Sequence, residues 1–217
     1  MIKLENLSKS FGDRLVIDNL NAVIKDNQIT CISSASGAGK TTLLRIIAGL
    51  ENQYTGSVSG VQKVSVTFQE DRLFPWLTAR QNIEIVSDSA KTQTLLKQMQ
   101  LTNEADKYPN ELSGGMCRRV SLARSLAVQS DVLILDEPLK GLDTELKEKM
   151  YSLILENSKS KIVIMTTHET VDVARLADRV ISFSSNGFKV QKDIVFDVPK
   201  NQRDEKVVLE YIELIKN

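Results

Sequence analysis

The chain reads as an α/β fold on a mainly parallel sheet, with an antiparallel β subdomain near its N-terminus and an inserted α-helical subdomain. Three observations predict this. A short apolar strand, Gln28 to Ser33, feeds a Gly/Ser-rich turn that runs straight into an apolar helix. Two later runs, Val132-Leu133-Ile134-Leu135 and Lys161-Ile162-Val163-Ile164-Met165, are short and nearly uninterrupted, the pattern of parallel strands covered on both faces. From Glu70 to Asn110 strand patterns disappear, and Leu95, Leu96 and Met99 recur at helical spacing, which marks an insert.

Composition narrows the class further. The chain has 217 residues, enough for a substantial core. Lys plus Arg number 28 and Asp plus Glu number 28, so no global basic field exists to attract nucleic acid, and none is expected as a partner. Cys31 and Cys117 lie in unrelated motifs, give no disulfide framework and fit a reducing cytosol. The N-terminus, Met1 to Leu7, alternates like a strand and lacks the apolar core of a signal peptide. No apolar run approaches the ~18 residues a spanning helix needs.

Taken in order, Ile2 to Leu7, Leu15 to Ile17 and Ala22 to Ile24 alternate in short stretches. They are separated by turns at Phe11-Gly12-Asp13 and Lys25-Asp26-Asn27, as in a small antiparallel sheet. After the strand Gln28 to Ser33 comes Ser34-Ala35-Ser36-Gly37-Ala38-Gly39-Lys40-Thr41-Thr42, close to the pattern G-x-x-x-x-G-K-[ST] of a phosphate-binding loop. Small residues let backbone N–H groups turn inward on a polyphosphate, with a helix dipole behind them. Lys40 is placed to reach the outer phosphates, and Thr41 to offer its hydroxyl to Mg²⁺. Ser34 stands where the pattern has Gly; at positive φ it would cost on the order of 1 kcal/mol. In the following helix Leu43, Leu44, Ile46, Ile47 and Leu50 leave little polar circumference, so it must be buried, and Gly49 is placed to end it.

The next strand is Val64 to Phe68, ending at Gln69. Beyond the insert, Ser113-Gly114-Gly115 opens a helix carrying Met116, Val120, Ala123 and Ala127 on one face, a second exposed set of N–H groups. A helix from Thr144 to Glu156 separates the two buried strands. Arg179 to Phe183 and Phe188 to Phe196 flank Asn186-Gly187, a two-residue hairpin signal. Asp204 to Lys216, with Val207, Val208, Tyr211, Ile212 and Ile215, closes the chain as an amphipathic helix.

Leu112-Ser113-Gly114-Gly115-Met116, followed by Arg118-Arg119-Val120-Ser121-Leu122-Ala123-Arg124, resembles the signature motif of ABC-type ATPases, and the resemblance extends over essentially the whole chain. It implies a P-loop NTPase core in one ATPase domain. Residues 1–69 would form the β subdomain and phosphate-loop core, 70–128 the helical subdomain with the signature, and 129–217 the rest. It also implies a head-to-tail dimer in which each ATP lies between the loop 34–42 of one subunit and Ser113, Gly114 and Gly115 of the other.

Val132-Leu133-Ile134-Leu135-Asp136-Glu137-Pro138 then brings a carboxylate pair to a strand end. Adjacent strand residues point to opposite sides, so the two acids are expected to take different jobs. Asp136 resembles the acid that organises Mg²⁺, and Glu137 the base that orients or deprotonates the attacking water. Asp143, in Leu139-Lys140-Gly141-Leu142-Asp143, resembles the loop that touches the opposite subunit, with Gly141 where the family usually has Ala. His168, the only histidine, resembles the switch residue at the γ-phosphate. Gln69 resembles the residue that contacts Mg²⁺ and water and joins core to insert. Phe11 sits where the family stacks an aromatic on adenine, with Val16 beside it, although a hairpin-tip core residue is the rival reading.

Gln69-Glu70-Asp71-Arg72-Leu73-Phe74-Pro75-Trp76-Leu77-Thr78 is similar to the corresponding segment in the ATPase subunits of nitrate, sulfonate, taurine and related bacterial importers. Leu73, Phe74 and Trp76 either line a groove for a cytoplasmic helix of a separate membrane permease or simply pack the insert. The implied machine is an importer ATPase on the inner face of the membrane, using ATP and Mg²⁺. It would be held there by permease subunits and served indirectly by an extracytoplasmic substrate-binding protein. No regulatory domain is expected after residue 217. Two rival classes remain: an ATP-driven clamp or assembly factor for a soluble partner, and a degenerate nucleotide-binding regulator. The second is suggested by Ser34 and by Cys117-Arg118, where importers usually carry Arg-Gln.

Overall fold

A computed structural model describes residues 1–35, 37–184 and 188–216. Among these, two sheets organise the fold. The smaller has the order β2-β1-β4, from β1 (Ile2–Phe11), β2 (Arg14–Ile24) and β4 (Thr55–Ser59), all antiparallel. The larger has the order β5-β6-β7-β3-β8-β9, from β3 (Gln28–Ser34), β5 (Val64–Thr67), β6 (Val132–Asp136), β7 (Ile162–Thr166), β8 (Arg179–Phe183) and β9 (Val190–Val195). It is parallel except where β9 pairs antiparallel with β8. The expected hairpin turn Asn186-Gly187 lies outside the described residues.

The apolar runs of β6 and β7 are covered on both faces, as their composition requires. Leu133, Leu135, Val163 and Met165 point into one core, shared with α4 (Gly114–Ala127), α5 (Thr144–Asn157), α6 (Thr170–Leu176) and α7 (Glu205–Lys216). Val132, Ile134, Ile162 and Ile164 point into the other, shared with α1 (Lys40–Ile47) and the small sheet. The insert contributes α2 (Ala79–Glu84), started by a Thr78–Gln81 capping box, and α3 (Ser89–Gln98), whose Leu95 and Leu96 are buried.

Several element expectations change. Leu15 to Ile17 and Ala22 to Ile24 belong to one strand, β2. Register shifts along β1 and left-handed backbones at Asn6 (φ 50°) and Asn19 (φ 48°) break the alternation, so the pair reads as fragments in sequence. β4 carries no apolar run, since its sequence TGSVS is mostly exposed, and it was not expected at all. Leu50 lies beyond the end of α1 and is exposed, because Gly49 at φ 71° turns the chain away as predicted. β3, β6 and β7 run in parallel register, so their carboxyl ends place residues 37–42, 136–138 and 167–169 along one edge, where open α/β sheets bind ligands.

Candidate functional site

A cleft of about 420 Å³ opens at that edge, within the ~300–1,000 Å³ typical of small-molecule sites. It is lined by Phe11, Arg14, Val16, Gly37, Gly39, Lys40, Thr41, Thr42, Gln69, Asp136, Glu137 and His168. Ser36 lies outside the described residues.

The floor is the turn into α1. Gly37 (φ 75°) and Gly39 (φ 130°) both adopt backbones that glycine favours, and a Cβ on Gly39 would meet Val16 Cγ1 at 2.9 Å. Among the described residues no side chain caps α1, which leaves the start of the helix suited to an anion. Lys40 Nζ donates to the carbonyls of Ser34 (2.8 Å) and Ala35 (3.3 Å), while the Ala38 N–H donates to Ala35 O at 3.3 Å. Ser34 is the last residue of β3, outside the left-handed region, so the backbone cost feared for a non-glycine does not arise. Burial holds the Lys40 ammonium below its ordinary pKa, opposed by the charges of Glu137 and Asp136.

The two carboxylates do part company, but not by strand alternation. Asp136 ends β6, whereas Glu137 has a left-handed backbone at φ 52°. That conformation, rather than the pleat, aims the Glu137 side chain, and its N–H is held by Thr166 O at 3.1 Å. Asp136 accepts from Thr166 Oγ1 at 2.5 Å and from Thr41 Oγ1 at 3.4 Å. Glu137 is only 6% exposed, yet its Oε1 accepts no aligned hydrogen bond. His168 Nε2 lies 3.3 Å from that oxygen, an ionic distance without hydrogen-bond alignment. A buried carboxylate oxygen without a partner is costly unless a ligand supplies one.

A divalent cation fits this donor set only in company. Thr41, Gln69 and Asp136 present hard oxygens on one cleft, and among the described residues no group of three or more His, Cys, Asp or Glu could hold a metal alone. One carboxylate plus substrate phosphates and waters is how Mg²⁺ is usually held.

Phe11 is 51% exposed, which removes the core reading of its ring. Lys9 Nζ sits 4.5 Å from the ring centroid and is itself anchored on Gln53 O at 2.6 Å and Glu51 at 3.1 Å. Arg14 was missed in sequence: its Nη2 donates to Gly37 O at 3.2 Å, putting a second cation on the cleft wall. A basic residue just past a predicted aromatic hairpin tip was the available signal.

The remaining predicted residues lie elsewhere. Ser113 caps α4 by accepting from the Met116 N–H at 3.3 Å, and both Ser113 and Gly114 are exposed. Asp143 caps α5, accepting from the Leu146 N–H at 2.9 Å. A Cβ on Gly115 would lie 3.5 Å from Leu142 Cδ2, so these two loops are neighbours on one outward face, separate from the cleft-lining residues. In the segment after Gln69, Leu73 is half-buried and packs against the larger core. Phe74 and Trp76 turn outward in a tilted pair 5.5 Å apart, with Trp76 68% exposed. Phe74 lines a groove of about 390 Å³ with Val66, Phe68, Ile85, Val86 and Val128. Among the described residues, no helix is long and apolar enough to cross a membrane.

Residues 17–140 match the model of a family described as ABC transporter. An aliphatic sulfonates import ATP-binding protein of Mycobacterium sp. (strain MCS) is 35% identical over 94% of this chain and 88% of its own. A nitrate import ATP-binding protein of Synechocystis sp. is 33% identical over 94% of this chain and 86% of its own. Among solved structures, a dimeric ATP-binding cassette in a post-hydrolysis state with ADP and Pi superposes with a TM-score of 0.81 at 28% identity. That match covers 92% of this chain and all of the other.

Proposed function

The chain belongs to the ABC transporter family, and we propose that it is the ATP-hydrolysing subunit of a bacterial importer whose permease is made of separate membrane subunits. The observation that carries the catalytic part is the buried Oε1 of Glu137, which has no hydrogen-bond partner among the described residues and belongs to a cleft that also holds Lys40, Thr41 and His168. In this reading the 217 residues work as one ATPase domain with the subdivisions 1–69, 70–128 and 129–217.

Phe11 stacks on adenine with Val16 beside it, while residues 34–42 wrap the phosphates. Lys40 exchanges its loop carbonyls for the outer phosphates; at ~4 Å and an effective dielectric of ~20 one such pair is worth roughly 4 kcal/mol before desolvation. Thr41, Gln69 and Asp136 would hold Mg²⁺, which supplies charge neutralisation on the phosphate oxygens when bound. Glu137 orients or deprotonates a water for in-line attack on the γ-phosphorus, which breaks the bond to ADP; His168 contacts the γ-phosphate and registers its loss. Ser113, Gly114, Gly115 and Asp143 face outward, which suits a head-to-tail dimer in which they complete the partner's site. Dimer closure and reopening then drive the permease, whose cytoplasmic helix would sit in the groove beside Phe74 and Trp76. The subunit would thereby be held on the inner face of the membrane, with an extracytoplasmic binding protein delivering substrate. Ser34 sits in ordinary strand geometry and so no longer argues for the regulator reading, and Lys40, Glu137 and His168 are all present in the cleft.

Phosphate release from ATP and Mg²⁺ by the purified chain tests this. Glu137→Gln should lower turnover ~10²–10⁴-fold while ATP still binds and favours a dimer; equal turnover in the two proteins would overturn it.

A further inference from the structure

Arg118, one of the residues by which this chain departs from the usual signature sequence, is buried against the segment that carries Gln69. Its Nη1 donates to Phe68 O at 2.8 Å and lies 3.2 Å from Asp71 Oδ1, while its Nη2 donates to Gln69 O. Six residues further along α4, Arg124 Nη2 donates to Arg72 O at 2.9 Å and to Asp71 O at 3.3 Å. The main chain from Phe68 to Arg72 is thus fastened to one helix at two points. That helix begins at Gly114, one turn before Arg118, so the fastening joins the cleft-lining Gln69 to the outward Ser113–Gly115 corner.

We propose that Arg118 is a positioning residue for Gln69. Its guanidinium fixes where the Gln69 side chain enters the ATP cleft and makes that position move as one body with the start of α4. The chemistry favours a fork: a planar cation with five N–H donors can bond two carbonyls at once while its charge lies 3.2 Å from Asp71 Oδ1, and charge-assisted bonds to main-chain oxygen are strong. A glutamine there has one amide nitrogen and no charge, so it cannot span both carbonyls and also balance Asp71. Asp71 completes the arrangement, since burial pushes its carboxyl upward while Arg118 and Arg124 pull it back toward the charged form.

This inference rests on Gln69 belonging to an ATP site. The test is a double-mutant cycle on the full chain, with ATP turnover and KM measured for wild type, Arg118→Gln, Gln69→Ala and the double variant. Because a small misplacement of an aligned group costs rate rather than binding, Arg118→Gln should lower kcat about tenfold. Its KM should stay within about twofold, and in the Gln69→Ala background it should cause no further fall. Arg118→Lys keeps a cation beside Asp71 but cannot fork, so it should give about a threefold fall with the same non-additivity, a check should the glutamine variant fold poorly. An unchanged kcat, or losses that add in the Gln69→Ala background, would overturn the proposal while leaving wild-type turnover intact. Failure of the ATPase reading itself looks different, because wild type would then turn over no faster than Glu137→Gln.

Discussion

The N-termini of α1 and α4 both face where an anion can come, and they are in opposite states. α1 starts behind Gly39 with no side-chain cap, inside the cleft, with Lys40 already pointed back into its own loop. α4 starts behind Ser113, whose hydroxyl satisfies the Met116 N–H, on an exposed corner shared with Leu142. An uncapped helix start inside a fold needs a ligand; a capped one at the surface is stable without it. On the proposed function, the first would be the half-site within one copy of the chain, and the second the half-site offered to another copy.

Substitutions can break or sharpen this contrast. The largest effect should come from Lys40→Ala, which removes the inner cation and should weaken ATP binding to the isolated subunit by ~100-fold or more, since the phosphate pair is worth roughly 4 kcal/mol before desolvation. Isothermal calorimetry measures it, and near-normal affinity would mean that the inner half-site is not where phosphate goes. Ser113→Ala should leave that affinity unchanged, lower subunit stability by ~1 kcal/mol through the lost cap, and weaken the ATP-bound dimer of Glu137→Gln about tenfold. If single-subunit affinity drops as well, the two helix starts are not distinct. Trp76→Ala probes the outward side beyond the dimer corner: reconstituted transport should fall ~5-fold with isolated ATPase activity kept, as for an interface aromatic, and an equal fall in both would place Trp76 in the insert's packing instead. The smallest change is expected from Phe11→Ala, a loss of ~1 kcal/mol in ATP affinity, or about fivefold, with turnover at saturation preserved.

Those contrasts were partly legible before folding. Asp136 and Glu137 could be found because they end an apolar run, Lys40 and Thr41 because they follow a Gly/Ser-rich loop pattern after one, and His168 through the resemblance; the parallel register of β3, β6 and β7 then carries all five to one edge. Hydrophobic pattern likewise revealed β6, β7 and α4. What escaped was written in backbone rather than in side-chain type. β4 is a strand of small exposed residues that pairs with β1 without burying a face, and β2 is broken by register shifts that erase its period. The divergence of Asp136 and Glu137 looked like simple alternation, but comes from a left-handed residue that no local propensity announces. Arg14 and Arg118 resemble ordinary surface cations in sequence; only the fold brings the carbonyls of Gly37, Phe68 and Gln69 within their reach.

The left-handed backbone of Glu137 has a bearing on protein engineering. For an L-residue with a long side chain that conformation is disfavoured by about 1–2 kcal/mol relative to glycine, and asparagine tolerates it better. A screen for heat resistance alone would therefore drift toward Gly or Asn at position 137, gaining melting temperature and discarding the carboxylate. On the proposed function, the position sets stability against activity through a single φ angle. Thermostable versions of this subunit are better sought at exposed hydrophobic sites away from the cleft, such as Leu209 on α7, whose side chain faces water.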